Sequence, residues 1–393
     1  MKALASTPSR LQRAALLAAA SLACTLLPAC STIGSVFGSG SKTPEPKALP
    51  ANPAQLGAQI AWRANAGAQG STTGANVQHG QLLISNAAGE VLAFTPNGQI
   101  ISRSSFGAPL ISAPGFDGTR LAAVTQNNDL VVFAAGKELW RKRLPAQSYT
   151  APVVAGDRVF VLLADRSVIA FDGEAGGKLW QLQRSGSQQE ALSLQQAGVL
   201  LAVGDTLVAG ISHNLQGIDP DHGRLLWSKA VASPRSTNDV ERLSDLVAPA
   251  YRDGSTVCAR AYQVGLACVD TASASLLWSK PSQGQTGLSG GQNAVFATEQ
   301  DGRVRAFGRE RGMPVWLNEQ FLLRRLSNPA VLDGSVAFGD AQGRIYFLNA
   351  ASGALQEYQS GDGAAVQSTL VYGGQLISIS RAGGVIAWRL PQK

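Results

Sequence analysis

Most of the chain consists of short runs in which apolar and polar residues alternate, arranged in pairs around tight turns. Residues 157–172, "DRVFVLLADRSVIAFD", are one such pair; 334–349, "GSVAFGDAQGRIYFLN", and 374–389, "GQLISISRAGGVIAWR", are others. A period of two is the signature of strands with one face buried, and no long stretch shows the 3.6-residue period of an amphipathic helix. Turn residues stand between the runs, among them Asn127-Asn128-Asp129, Asp301-Gly302, Gly343 and Gly383-Gly384, where hairpins need them. Pro114, Pro152, Pro249 and Pro329 stand at the starts of units, which predicts positions just ahead of a strand, where a missing N–H costs little.

The pairs repeat. An apolar residue precedes a turn at Phe94, Phe133, Phe171, Ile218, Val269, Phe307, Leu348 and Trp388, at intervals of 38 to 51 residues. A few residues later comes an aromatic position: Trp140, Trp180, Trp227, Trp278 and Trp316, with Tyr358 as a substitute and Ile101 as the weakest case. Trp62 adds one copy at the N-terminal end, so six of the seven tryptophans share a slot. Four short strands per unit of about 40 residues, repeated eight times, predict an all-β, eight-bladed β-propeller with four-stranded antiparallel blades. The stretch around Trp62 lacks preceding strands, and the last unit lacks a Trp-bearing strand after Trp388. Pairing the N-terminal strand with the last blade closes the ring and removes free sheet edges. The tryptophans are expected as structural plates between neighbouring blades.

Composition adds an N-terminal address. Lys2, Arg10 and Arg13 precede the apolar run from Ala14 to Leu27, a pattern of charged and hydrophobic regions too short to span a bilayer comfortably. The run ends "LPAC", which resembles a bacterial lipobox; residues 1–29 are then a lipoprotein signal peptide, and Cys30 is the lipidated residue. Ser31 after it resembles the sorting signal of outer-membrane cargo. Residues 30–55, rich in Gly, Ser and Pro, are expected as a lipidated flexible linker, and 56–393 as the propeller. The net charge is +7, with 33 Lys and Arg against 26 Asp and Glu. The basic residues are scattered, and "RKR" at 141–143 is the only tract that stands out. That distribution reads as a solvated surface rather than a nucleic-acid site.

The unit pattern A-x-D-x-x-x-G-x-x-x-W, as in "AFDGEAGGKLW" at 170–180, resembles the pyrroloquinoline-quinone-like propeller repeat. Two groups share it, the quinone-dependent dehydrogenases and the BamB lipoproteins of the outer-membrane barrel assembly (BAM) machinery. The resemblance to the BamB family covers the whole chain: lipobox, linker and eight blades. It extends to "ERLSD" within 238–270 and to "LSL" at 192–194, which look like that family's two BamA-contacting loops. The resemblance implies a non-enzymatic scaffold on the periplasmic face of the outer membrane. It would bind a POTRA domain of BamA, belong to the BAM complex and assist unfolded outer-membrane protein clients. The implied contacts are Leu192, Leu194 and Asp245. This chain has Gln195 where the family pattern has Arg after the second leucine, and Val247 where it has a second acid, so Arg242 is added as a compensating candidate. Without the resemblance, Leu192 and Leu194 also read as buried residues of an alternating strand, and Asp245 as a cap. Independently of any family, both segments fall in the two longest repeat intervals, 47 and 51 residues, where extra chain leaves the sheets.

No catalytic constellation emerges. His79, His213 and His222 lack metal spacing, and "DPDHGR" at 219–224 fills the repeat's own turn rather than a calcium loop. There is no adjacent Cys-Cys pair such as quinone dehydrogenases of this fold carry, so neither cofactor nor metal is expected. A quinoprotein dehydrogenase and a polysaccharide-binding propeller remain the alternatives. Cys258 and Cys268 stand on two strands of one hairpin, symmetric about Gln263; in an oxidising compartment they are either a cross-strand disulfide or two buried thiols.

Overall fold

The structure is a computed structural model that describes residues 45–71, 73–183, 193–233 and 244–391. Cys30 and the signal peptide lie outside the described residues. Pro46 onward forms one compact unit. Among the described residues there are eight four-stranded antiparallel sheets. They span 75–105, 115–143, 153–182, 200–230, 246–281, 289–318 and 330–360, with the eighth at 366–389; we number these as blades 1 to 8. In blades 1 to 7 the strands follow in sequence order from the innermost to the outermost. Blade 8 takes its outermost strand from Gln59–Asn65, paired antiparallel with Gly384–Arg389. The all-β propeller and its closure therefore match the sequence reading.

The repeat motif is a device for joining blades, visible at residues 170–180. Asp172 caps the turn before the outermost strand of blade 3, its Oδ1 accepting from the N–H groups of Glu174 (3.0 Å) and Ala175 (2.6 Å). Gly176 follows at φ +66°, and a Cβ there would lie 2.7 Å from Cδ2 of Trp140, the tryptophan of blade 2. The indole of Trp140 donates to Gly173 O at 3.0 Å. Trp180 then does the same to blade 4, donating to Pro220 O at 2.9 Å while its ring covers Gly223. Trp62, Trp278 and Trp316 repeat the arrangement on blades 1, 6 and 7. Each of these five tryptophans is thus a plate seated on its neighbour's glycine turn, with its one polar atom satisfied.

Two exceptions explain themselves. The turn that faces Trp227 has Ala274 at φ +52° instead of a glycine. Trp227 lies instead over Gly217, its partner in its own blade, where any Cβ would collide with the ring. Tyr358 of blade 7 has no turn to sit on, because the chain is interrupted between the third and outermost strands of blade 8. Residues 50–52 fill that place: Asn52 bonds both the N–H (3.0 Å) and the carbonyl (2.8 Å) of Tyr358, and the Tyr358 hydroxyl reaches Pro50 O. Gln55 N donates to Gln356 O, and the carbonyl of Lys47 accepts from Arg324. Residues 46–55, assigned by composition to the tether, are thus bonded along the edge of blade 7.

Pro249 also differs from its expected place. Pro114, Pro152 and Pro329 directly precede strands, but Pro249 lies inside Leu246–Asp253, at the register shift between Val247 and Tyr251. A bulge leaves its missing N–H without cost to the ladder. Cys258 and Cys268 face each other in register in blade 5 and are joined as a disulfide.

The turn caps carry a pH prediction. Backbone N–H groups, chiefly Ala175 for Asp172 and Ser273 for Asp270, hold these carboxylates below their ordinary value near 3.8. A depressed carboxylate contributes stability that is present above its unfolded pKa and lost as pH falls through the folded one. The urea midpoint should therefore stay level down to about pH 5 and fall below about pH 4. Asp172→Asn should flatten that fall; an unchanged acid slope would contradict the caps' contribution.

Candidate functional site

Strand order assigns the connections to two faces. The links from one blade to the next share a face with the turns between second and third strands; the remaining turns lie on the other. Leu194 and Gln195 belong to the link between blades 3 and 4, and Asp245 to the link between blades 4 and 5. Arg166 lies in the second-to-third-strand turn of blade 3. All four are therefore on one face.

The structure brings three of these together. Asp245 Oδ1 accepts from Arg166 Nε at 3.1 Å, and Oδ2 accepts from the N–H of Leu194 at 3.1 Å. The Arg166 and Asp245 side chains are only 10% and 17% exposed, so the charge-assisted contact is shielded from solvent more than a surface pair. Asp245 is neither a free acid nor a helix cap: it ties two links from successive blades. Leu194 is half-buried and Gln195 is exposed. Ala248 N donates to Ala197 O and Gly198 N to Thr150 Oγ1, which holds residues 197 and 198 in place. Leu192 and Arg242 lie outside the described residues.

The cleft beneath Leu194, lined by Tyr149, Leu162, Arg166 and Leu246, holds about 40 Å³. That is far below the several hundred Å³ of a small-molecule site. Larger hollows of about 300 and 610 Å³ open on the opposite face, between blades 3 and 4 and between blades 6 and 7. Among the described residues, no group of His, Cys, Asp and Glu is placed to hold a metal. The geometry near Leu194 is that of a fixed surface.

Arg166 was missed by the sequence reading, although a signal was available. The same turn position is Gly89, Asn128, Gly302, Gly343 or Gly383 in other blades, and all of these have positive φ. Arg166 adopts φ +69° there, a conformation that a long side chain rarely takes without compensation. Gln196, whose Nε2 donates to Gln285 O at 2.8 Å, was missed too, and no repeat pattern marks it.

A family model described as "Outer membrane protein assembly factor BamB" matches residues 87–318. A protein of that name from Bordetella pertussis is 30% identical over 376 residues, covering 92% of this chain and 93% of its own length. The chain belongs to the BamB family. The crystal structure of BamB from Moraxella catarrhalis superimposes with a TM-score of 0.75, at 20% identity, over 85% of this chain and 100% of that one. At that identity the likeness speaks for the fold alone. The same holds for the quinohemoprotein alcohol dehydrogenase of Comamonas testosteroni, with a TM-score of 0.63, 13% identity, and coverage of 88% of this chain and 79% of that one. The propeller is thus common to assembly factors and enzymes, and by family this chain is a BamB-family outer-membrane protein assembly factor.

Proposed function

We propose that the protein is a lipid-anchored, non-enzymatic scaffold on the periplasmic face of the outer membrane, held there through Cys30. In this reading it belongs to the BAM complex and grips a POTRA domain of BamA through Leu192, Leu194, Gln195 and the segment containing Arg242 and Asp245. The observation that carries the reading is the Asp245 tie. Two loops from successive blades, both lengthened relative to the other repeats, meet at one carboxylate and present Leu194 and Gln195 from a rigid base. A preorganised segment such as 193–198 loses little entropy on binding, which favours a docking role. Asp245 acts mainly by holding the Leu194 backbone, and the apolar leucines supply the contact. Outermost strands with exposed Leu179, Leu226, Leu277 and Leu317 also suit capture of unfolded outer-membrane protein clients by strand addition.

Affinity capture with the periplasmic domains of BamA tests this. Replacing Leu192, Leu194 and Asp245 together by Ala should weaken capture at least about tenfold, as loss of a few anchors does, with the fold retained by circular dichroism. Unchanged capture would remove the site assignment. Stoichiometric quinone binding with dye reduction would instead favour a dehydrogenase.

A further inference from the structure

Arg260, near the end of the second strand of blade 5, has no exposed surface. Burial lowers its pKa to about 10, so it is charged at neutral pH. Its Nη1 donates to Thr286 O (3.0 Å) and Thr298 O (2.7 Å), and its Nη2 to Ser282 Oγ (3.0 Å). Its Nε has no partner. Glu299 lies 3.8 Å away with its side chain 5% exposed; its carboxylate accepts from Ser282 Oγ and from the N–H of Gln283 at 2.7 Å. The 282–287 link is thus wrapped around a buried ion pair, so closely that a Cβ on Gly284 would collide with the guanidinium.

Packing alone does not call for this arginine. The register-equivalent residues of other blades include Ser85, Val124, Leu162 and Ile379, none of them charged. Replacing a buried ion pair by apolar residues is often neutral or stabilising. What distinguishes blade 5 is its neighbourhood. Arg260 stands opposite Val247, two residues from Asp245. The N–H of Tyr262 donates to Asp245 O at 3.1 Å, and that of Gln263 to Gly284 O at 3.0 Å. From the link it organises, Gln285 O accepts from Gln196 at 2.8 Å, one residue beyond Gln195.

We propose that the buried Arg260–Glu299 pair is a positioning device for the docking face. It fixes the 282–287 link so that Gln285 holds Gln196 and, with it, the Leu194–Gln195 segment. Neither Arg260 nor Glu299 touches the partner. The functional half of this inference rests on the docking reading of that segment.

The test uses the full chain in two variants. Arg260→Met with Glu299→Gln removes both charges together, and Gln196→Leu cuts the link at a half-buried residue whose loss leaves the core intact. In each, amide hydrogen exchange across 193–198 should quicken by about fivefold or more, and affinity for the BamA periplasmic domains should fall about fivefold, a typical size for coupling through a contact network. The urea midpoint of each should stay at or above that of the unchanged protein, so that faster exchange and weaker binding report positioning and not partial unfolding. If the charge-removed variant fails to fold, Gln196→Leu alone decides. Unchanged exchange across 193–198 overturns the positioning role whatever the partner. Faster exchange with full affinity overturns the docking reading instead.

Discussion

A protein shortened to begin at Ala66 is expected to lose more than about 5 kcal/mol of stability, as much as the least stable domains have in total. The deletion removes Gln59–Asn65, the outermost strand of blade 8, and exposes the edge of Gly384–Arg389 that it covers. It also removes Trp62, which donates to Pro96 O at 2.8 Å and covers Gly98 of blade 1. Trp62 is half-buried, so its loss alone costs less than the about 3–5 kcal/mol of a fully buried indole, and the lost strand pairing adds to it. The wheel then ends in a three-stranded blade with no plate to join it to blade 1, and Tyr358 loses its Asn52 partner. Urea unfolding of the shortened and full proteins measures the difference. An equal midpoint would mean that closure contributes little and that the blades are held by local packing.

The second large effect concerns the joint between blades 2 and 3. Trp140→Ala should cost about 3–5 kcal/mol, because the indole is 8% exposed and packs against Phe171. Gly176→Ala should also destabilise, through two separable causes. The left-handed backbone costs a side chain about 1 kcal/mol, and the new Cβ pushes on Trp140 from 2.7 Å. In the Trp140→Ala background the second cause vanishes, so Gly176→Ala should then cost only about 1 kcal/mol. The two substitutions must therefore be less than additive in a double-mutant cycle. Full additivity would show that Trp140 and Gly176 do not act as one unit. The same joint recurs between blades 3 and 4, and under the proposed docking role it couples blade packing to the Leu194 segment. A partial loss of capture in Trp140→Ala or Trp180→Ala, measured below the unfolding range, would trace that coupling.

The fold, its closure and the two links singled out for function could all be read from the order of residues. Those features are written in periodicity: alternation specifies strands, a recurring Asp, Gly and Trp specify turns and plates, and two overlong intervals mark the links that leave the sheets. A physical requirement repeated in every blade leaves a repeated residue, and that can be read without coordinates. What the marked residues touch could be read only from the folded ring. Asp245 could be read as a partner contact or a cap, and it proved to be a tie between Arg166 and the Leu194 backbone, residues 79 and 51 positions away in the chain. Residues 46–55 read as tether, yet they lie along blade 7 because an interrupted blade 8 offers Tyr358 no turn. Arg260 carries no mark in the repeat beyond being charged. These contacts occur once, between segments brought together by the ring, and a contact made once has no period through which a sequence could announce it.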